Sequence, residues 1–267
     1  MSAVAISVSP PGLLEQVAAV ARRSATRTLR QRGLLIFPML FPLILFAING
    51  SALNAATKIP GFPAPTYRDF LLAFPFMQGA LFIAVTAGVD IARDIESGYF
   101  NRLALTPLRG EAMLIGQLGG AFITAISQSI VYLLVGIATG VPIKSGVPGA
   151  FVLLILATLI AFAFANIGAL LALRTGTGEA VQALFPLLFV TLFLSSSSLP
   201  RNLIKATWFR DIATYNPVSY LIEGMRSLII KGWDGQALYL GFGFAIVIGA
   251  IALTLASRAM RTRLVRT

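Results

Sequence analysis

The sequence predicts an all-α membrane protein whose chain crosses the membrane six times. Of its 267 residues 57% are hydrophobic and only 12% are charged, against about 25% charged residues in soluble domains. The charged residues also separate six apolar runs, each with at least the roughly 20 residues that a helix needs to cross about 30 Å of hydrocarbon. The predicted spans are 33–57, 70–92, 111–138, 149–173, 180–199 and 235–257.

The segment before the first span, residues 12–32, is predicted to be an amphipathic helix on the membrane surface. Leu13, Leu14 and Val17 fall on one side of it, and Arg23 and Arg27 fall largely on the other. A basic amphipathic helix of this kind binds an anionic membrane surface. The basic region is longer than that of a cleaved signal peptide, so we expect the helix to remain part of the folded protein.

The distribution of Lys and Arg predicts the orientation of the chain. With both termini in the cytoplasm, thirteen of the 21 Lys and Arg residues fall on the cytoplasmic side. The densest basic clusters flank the first and last spans, where the positive-inside rule has most weight. The sequence therefore predicts cytoplasmic N and C termini.

A charged segment, residues 93–109, separates the second and third spans. Ile95 and Tyr99 recur at helical spacing on one face, Gly98 and Arg102 lie on another, and Pro107 ends the pattern. A short amphipathic helix between two spans can lie flat on the membrane and offer its polar face to a soluble partner. A surface helix without any partner is the simpler interpretation of the same pattern.

Residues 200–234, between the last two spans, are predicted to form a re-entrant helix pair on the outer side. Asn216-Pro217 breaks a helix, because Pro lacks the N–H group and restricts the residue before it. Tyr220, Glu223 and Arg226 then recur at helical spacing. Glu223 and Arg226 are expected either to form a local ion pair of a few tenths of a kcal/mol or to pin an outer gate as a buried pair.

Two groups of large apolar side chains in the second and fifth spans are candidates for a substrate pathway. Adaptable binding surfaces use Met and aromatic side chains, so these groups could line a cavity for an apolar substrate. Packing against lipid or within the core is the alternative. The candidates are Phe74, Met77, Phe82, Phe185, Phe189 and Phe193.

Composition and missing motifs exclude several classes of function. The sequence contains no Cys and no His, which removes thiol chemistry and the commonest metal ligand and proton shuttle. It has no Gly-x-x-x-x-Gly-Lys-[Ser/Thr] motif for binding ATP, and no basic surface interleaved with aromatics for nucleic acid. An ion-coupled secondary transporter would place ionisable groups within the spans, and a lipid-modifying enzyme would need a catalytic cluster. Neither pattern is present, so both remain alternatives of lower weight.

Two motifs carry a resemblance to a known family. The pattern Glu96-x-Gly98-x-x-x-Arg102-Leu103-x-x-x-Pro107 resembles the coupling helix of ABC-2 type transporter permeases. The pattern Asn216-Pro217-x-x-Tyr220-x-x-Glu223-x-x-Arg226 looks like the C-terminal motif of these permeases, especially those of the daunorubicin-resistance type. With the basic N-terminal helix and the six spans, the resemblance covers nearly the whole chain.

The resemblance implies a type V exporter-like fold and a non-catalytic subunit of an ATP-driven exporter in the bacterial cytoplasmic membrane. Such a permease binds no cofactor itself. It pairs with a separate ATPase subunit, which binds ATP and Mg²⁺, and with a second permease copy or homologue, both membrane subunits being surrounded by lipid. The implied cargo is a hydrophobic drug, natural product or lipid. The first motif would couple to the ATPase and the second would form an outer gate.

Overall fold

A computed structural model describes residues 12–30, 32–99, 102 and 110–266, and all regular secondary structure in these ranges is helical. The predicted all-α class is therefore confirmed for the described residues. Two 3₁₀ helices, Asn54–Lys58 and Arg201–Leu203, accompany the α-helices. The α-helices are α1 (Leu13–Arg30), α2 (Arg32–Ala52), α3 (Tyr67–Leu71), α4 (Ala73–Glu96), α5 (Gly110–Gln117), α6 (Gly119–Ala138), α7 (Gly146–Thr175), α8 (Gly178–Gln182), α9 (Leu184–Phe193), α10 (Thr207–Tyr215), α11 (Pro217–Ile230) and α12 (Gly235–Arg266).

Several described helical stretches have the length and composition of membrane spans. Shorter apolar helices occupy Ile36–Ala52 and Gly178–Phe193, within the predicted first and fifth spans. The structure therefore supports a polytopic membrane protein, while the count of six spans stays a prediction. Among the described residues, the four stretches long enough to cross a membrane are Tyr67–Glu96, Ala112–Ala138, Gly146–Thr175 and Gly235–Arg263.

Contacts between helix termini define two ends of the molecule. At one end α1 is bonded to the last turns of α4, and α4 is bonded to the start of α8. We call this the basic end, after the arginines of α1. At the opposite end, called the far end, α11 is bonded to α3 and to the segment after α9. Helix α4 therefore runs from the far end to the basic end.

Helix α4 lies at the centre of the fold and makes its closest crossing with α7. Of its most apolar stretch 83% is buried, compared with 17% for α12. A Cβ atom on Gly168 of α7 would lie only 1.8 Å from the carbonyl oxygen of Ala84, and one on Gly88 of α4 would lie 2.7 Å from that of Gly168. The two backbones can approach this closely because small residues occupy the crossing, as is common between membrane helices.

Helices α11 and α12 pack antiparallel to each other. Gly224 faces Gly241, and the Tyr220 ring stacks on Phe244 with 4.8 Å between ring centroids. Because Phe244 lies nine residues into α12, Tyr220 in the first turn of α11 lies about 13 Å along that helix from its far end. This depth favours the predicted re-entrant arrangement of residues 200–234, which itself stays a prediction.

Engineered cysteines test the two shorter spans directly, since the sequence has no native Cys. Thr26 and Thr57 flank α2, and Thr177 and Ser198 flank α8 and α9. If both regions span the membrane, a membrane-impermeant maleimide should label Thr57→Cys and Ser198→Cys in intact cells. It should label Thr26→Cys and Thr177→Cys only after permeabilisation. Equal labelling of the two residues that flank one region would show that this region does not span.

Candidate functional site

The predicted coupling segment begins where α4 ends. Leu103 and Pro107 lie outside the described residues, so the structure places Glu96, Gly98 and Arg102 only. Gly98 has φ +66°, a left-handed conformation that L side chains rarely adopt. Its N–H donates to the Ile95 carbonyl at 3.0 Å, which ends α4 in the manner typical of glycine. The structure thus gives Gly98 a backbone role: it turns the chain out of the span.

Glu96 connects the end of α4 to the start of α8. Its Oε1 atom accepts a hydrogen bond from the backbone N–H of Gly178 at 3.0 Å. Thr177, the residue at the N-cap of α8, makes no capping side-chain bond within the described part of the chain. Glu96 therefore accepts from one of the backbone N–H groups that the first turn of a helix leaves without a helical partner, and it joins the coupling segment to the helices of the predicted fifth span.

A cluster of charged groups around Asp94 holds α1 against the last turns of α4. The Asp94 carboxylate is nearly buried, with 6% of the side chain exposed. It accepts from Arg27 Nη1 at 2.7 Å and from Arg23 Nη1 at 3.2 Å. Gln117 Nε2, at the end of α5, donates to the same carboxylate at 2.8 Å. One side chain thus joins three helices, and two of them, α4 and α5, flank residues 97–109.

Glycines allow α1 to lie directly on α5 and α6. A Cβ atom on Gly116 would lie 2.5 Å from Val20 Cβ, and one on Gly120 would lie 2.3 Å from Thr28 Oγ1. Ser24 of α1 donates to the Gln117 carbonyl at 2.7 Å and accepts from the Gly120 N–H at 3.1 Å. Close backbone contact and the Asp94 cluster together fix α1 to both sides of the coupling segment.

The sequence did not single out the Asp94 cluster. Arg23 and Arg27 are one helical turn apart on the polar face of α1, and this spacing was the available signal. The predicted position of that face is the membrane surface. The structure directs both guanidinium groups to Asp94 instead, and Arg23 also lies 3.7 Å from the centre of the Tyr99 ring.

At the far end, Asn216 and Pro217 form the junction between α10 and α11. Asn216 Oδ1 accepts from the Val218 N–H at 2.9 Å and caps α11, with Pro217 in its first turn. Both residue types are favoured at these helix positions. Asn216 Nδ2 donates to the carbonyls of Thr191 and Leu194 at 2.7 and 3.0 Å. The junction is therefore fastened to the end of α9.

Tyr220 and Glu223 lie on the same side of α11 and share Arg201 as a partner. The Arg201 guanidinium forms an ion pair with the Glu223 carboxylate and lies 4.6 Å from the centre of the Tyr220 ring. The Tyr220 hydroxyl donates to the Thr214 carbonyl at 2.9 Å. These contacts hold the 3₁₀ turn at Arg201–Leu203 over α11.

The prediction of an ion pair between Glu223 and Arg226 is wrong, since Glu223 pairs with Arg201 instead. Arg226 is 5% exposed and donates to the carbonyls of Phe70, Ser196 and Ser197 at 2.9 to 3.0 Å. Ser196 and Ser197 lie in a turn after the end of α9. Their buried carbonyls therefore need hydrogen-bond donors from elsewhere. Arg226 supplies them, and its guanidinium lies 3.6 Å from the centre of the Phe70 ring.

A cavity of about 510 Å³ opens at the far end beside these residues. Its wall includes Arg201, Glu223, Arg226, Lys231 and Asp234. The backbone N–H of Ala237 donates to the Asp234 carboxylate at 3.1 Å and lowers the pKa of that group below its usual value. The cavity is thus lined by charged groups that already have partners.

The candidate pathway residues, apart from Met77, form one continuous row of rings. Centroid distances are 4.9 Å from Phe82 to Phe185, 5.2 Å from Phe185 to Phe189, 5.0 Å from Phe189 to Phe193 and 6.3 Å from Phe193 to Phe74. The row ends in the core at Phe74, and Phe193 is 47% exposed. Met77 is completely buried and packs in the core.

Two further rings, which the sequence analysis missed, extend the row onto α2. Phe41 lies 5.9 Å from Phe82, and Phe37 lies 5.8 Å from Phe41. Nothing in their spacing distinguishes them from other apolar residues of α2. Only the packing of α2 against α4 brings them to Phe82.

These features define a helical membrane protein with a basic helix, α1, packed against its helices at one end and a buried arginine, Arg226, that holds main-chain carbonyls at the other. The sequence model of the ABC-2 type transporter family matches residues 15–230. The chain therefore belongs to this family, and it is a transmembrane subunit of an ABC transporter.

Several transport permeases are similar in sequence to the chain. It is 23% identical over 200 residues to the probable doxorubicin resistance ABC transporter permease protein DrrC of Mycobacterium tuberculosis, covering 75% of this chain and 70% of the relative. It is 25% identical over 275 residues to the putative transport permease ycf38 of Porphyra purpurea, covering 94% and 91%. The putative transport permease ycf38 of Pyropia yezoensis is 27% identical over 223 residues, with 81% and 74% covered.

The separate partners of Glu223 and Arg226 lead to a specific thermodynamic prediction. Arg226→Gln should lower the free energy of unfolding by on the order of 3 kcal/mol, because buried carbonyls lose their donors. Glu223→Gln should cost about 0–1 kcal/mol, as expected for a partly exposed ion pair. Double-mutant cycles on the purified protein should give a larger coupling energy for Glu223 with Arg201 than for Glu223 with Arg226. A larger coupling energy for Glu223 with Arg226 would instead support a direct ion pair between these two residues.

Proposed function

We propose that the chain is the permease subunit of an ATP-driven exporter in the bacterial cytoplasmic membrane. Its basic end and both termini face the cytoplasm, where a separate ATPase subunit binds residues 93–109 and hydrolyses ATP with Mg²⁺. A second permease copy or a homologue completes the membrane part. Membership of the ABC-2 type transporter family and the arginine-rich α1 support this assembly.

The observation that carries the proposal is that two carboxylates at the start of the coupling segment, Glu96 and Asp94, form hydrogen bonds to other helices. Glu96 is bonded to Gly178 and so to α8. Asp94, two residues earlier, is bonded to α1 and α5. A displacement of residues 97–109 by the ATPase would be passed through Glu96 to α8 and on to α9, while α1 supplies the fixed support against which this motion acts.

Helix α9 is the element whose motion matters for the cargo. It carries Phe185, Phe189 and Phe193, which contact the α4 rings through Phe82 and Phe74. Shifting α9 relative to α4 would open or close this row of rings. A partly exposed aromatic row suits a hydrophobic drug, natural product or lipid, and a second permease subunit could cover its exposed side.

The far end provides the outer gate in this proposal. Arg226 joins α11 to the main chain after α9, and Asn216 joins the start of α11 to α9 itself. Movement of α9 would therefore be transmitted to α11 and to the wall of the far-end cavity. The charged cavity offers a polar route by which a released molecule reaches water.

Glu96→Ala and Arg102→Ala should lower the number of cargo molecules exported per ATP hydrolysed. Both side chains lie on the surface, so the loss of either should cost about 1 kcal/mol of stability or less. The measurement is transport and ATP hydrolysis by the reconstituted complex of permease and ATPase. The purified permease alone should hydrolyse no ATP.

Two matched variants control this experiment. Glu96→Gln keeps an oxygen that can accept from Gly178 and should retain part of the coupling. Glu179→Ala removes an exposed carboxylate next to Gly178 and should leave the ratio unchanged. Normal transport together with normal stimulation of the ATPase in both Glu96→Ala and Arg102→Ala would exclude residues 93–109 from the mechanism.

A further inference from the structure

A second cavity lies near the basic end, beside the start of residues 93–109. It has a volume of about 360 Å³ and opens between α2, α4 and α6. Its wall is apolar at Phe37, Val85, Val89 and Ala121, and polar or charged at Thr28, Asp90 and Arg93. The volume falls within the usual range for small-molecule sites, which combine an apolar wall with a few placed polar groups. We call it the basic-end cavity.

The charged groups that α4 contributes to the basic-end cavity lie at one end of its wall. Arg93 is three residues from the end of α4, and Val85 is eight residues further into the helix. At 1.5 Å per residue these two positions are about 12 Å apart along α4. An amphiphile parallel to the helix would therefore place its head group at Arg93 and its apolar chain beside Val85 and Phe37.

The exposed guanidinium of Arg93 favours an anionic head group. Asp90 forms ion pairs with Arg27 at 3.4 Å and with Arg93 at 3.9 Å. Arg27 is also bonded to Asp94 at 2.7 Å. Arg93 is 54% exposed at its side chain, and among the described residues its ion-pair partner is Asp90 alone. Its guanidinium has donors available for a planar carboxylate or a phosphate.

The cavity also leads to the aromatic row. Phe37 lines its wall, and the ring of Phe37 lies 5.8 Å from Phe41 and 6.5 Å from Phe82. From Phe82 the row continues through α9 towards the far end. A molecule held at Arg93 by its head group would touch the first ring of this row with its apolar part.

We propose that the basic-end cavity binds a membrane amphiphile with an anionic head group, and that Arg93 receives that head group. The inference rests on the proposed function for the fate of the bound molecule, because it names the class of cargo that the exporter takes up from the adjacent leaflet. Asp90 has the opposite effect: its carboxylate orients Arg93 and weakens the binding of anions. The same leaflet can supply a structural lipid, so the test must separate a resident lipid from cargo.

Binding is tested on the permease alone, in nanodiscs of phosphatidylcholine, with three photoreactive probes that share one alkyl chain. The probes are a fatty acid, the corresponding alcohol and the corresponding amine, each with a diazirine in the chain. The fatty acid should label the peptides around Phe37 and Val85, and the alcohol and amine should label them about ten-fold less, the effect of losing one charge-assisted contact. Equal labelling by the three probes would overturn the proposal.

Four variants determine which side chain is responsible. Arg93→Gln should reduce labelling by the fatty acid about ten-fold, and Arg93→Lys should retain most of it. Asp90→Asn should increase labelling by the fatty acid. Loss of labelling by the amine in the same variant would indicate a site for cations and overturn the proposal. Arg258→Gln removes an exposed arginine of α12 outside the cavity and should change nothing. A loss in Arg258→Gln equal to that in Arg93→Gln would reduce the effect to general surface charge and overturn the proposal.

Transport by the complex with its ATPase separates cargo from resident lipid. The expected result is ATP-dependent movement of the fatty acid probe that is lost in Arg93→Gln, while the same variant still hydrolyses ATP and exports neutral compounds, since Arg93 also begins the proposed ATPase-binding segment. Labelling without movement of this probe, while neutral compounds are exported, would make the ligand a resident lipid and overturn its assignment as cargo. If labelling depends on Arg93 but the complex exports nothing, the proposed function fails and the binding site stands.

Discussion

The carboxylate of Asp94 is the interaction on which the basic end of the molecule depends. It lies at the end of the central helix α4 and accepts hydrogen bonds from two arginines of α1 and from Gln117 of α5. With so little exposure to water, this carboxylate needs opposite charges close by, since burying an unpaired charge is costly. Helix α1 is therefore held on the protein by charge as well as by apolar contact, and the two helices that flank the coupling segment share one support.

At the far end, the main-chain carbonyls after α9 have no hydrogen-bond partners within a helix. The chain leaves α9 at Phe193, and the Ser196 and Ser197 carbonyls point into the core, where Arg226 donates to both. One guanidinium group with several donors is well suited to this, because its planar geometry is fixed. The guanidinium of Arg226, which has no directly bonded carboxylate, therefore stabilises the far end. The carboxylate of Asp94, bonded to two guanidinium groups, stabilises the basic end.

The sequence predicts the local features of this fold well and its long-range pairings poorly. The break at Asn216-Pro217 follows from the covalent structure of proline, and the helical class follows from composition and the spacing of charges. The partners of Glu223 could not be predicted in this way, because Arg201 is 22 residues away and reaches it only after the chain has folded back over α11. In the Asp94 cluster, the two arginines lie 67 and 71 positions before the carboxylate. Phe37 and Phe41 join the aromatic row for the same reason, through the packing of α2 on α4.

The most direct test of this account is the number of cargo molecules exported per ATP hydrolysed in Asp94→Asn. Asparagine keeps the size of the side chain and an acceptor for Gln117, but it removes the charge that holds Arg23 and Arg27. We expect continued ATP hydrolysis and about a ten-fold lower ratio, the scale of losing one charge-assisted contact. Asp211→Asn, which removes an exposed carboxylate of α10, should leave the ratio unchanged. An unchanged ratio in Asp94→Asn, with α1 still bound to the protein, would contradict the account.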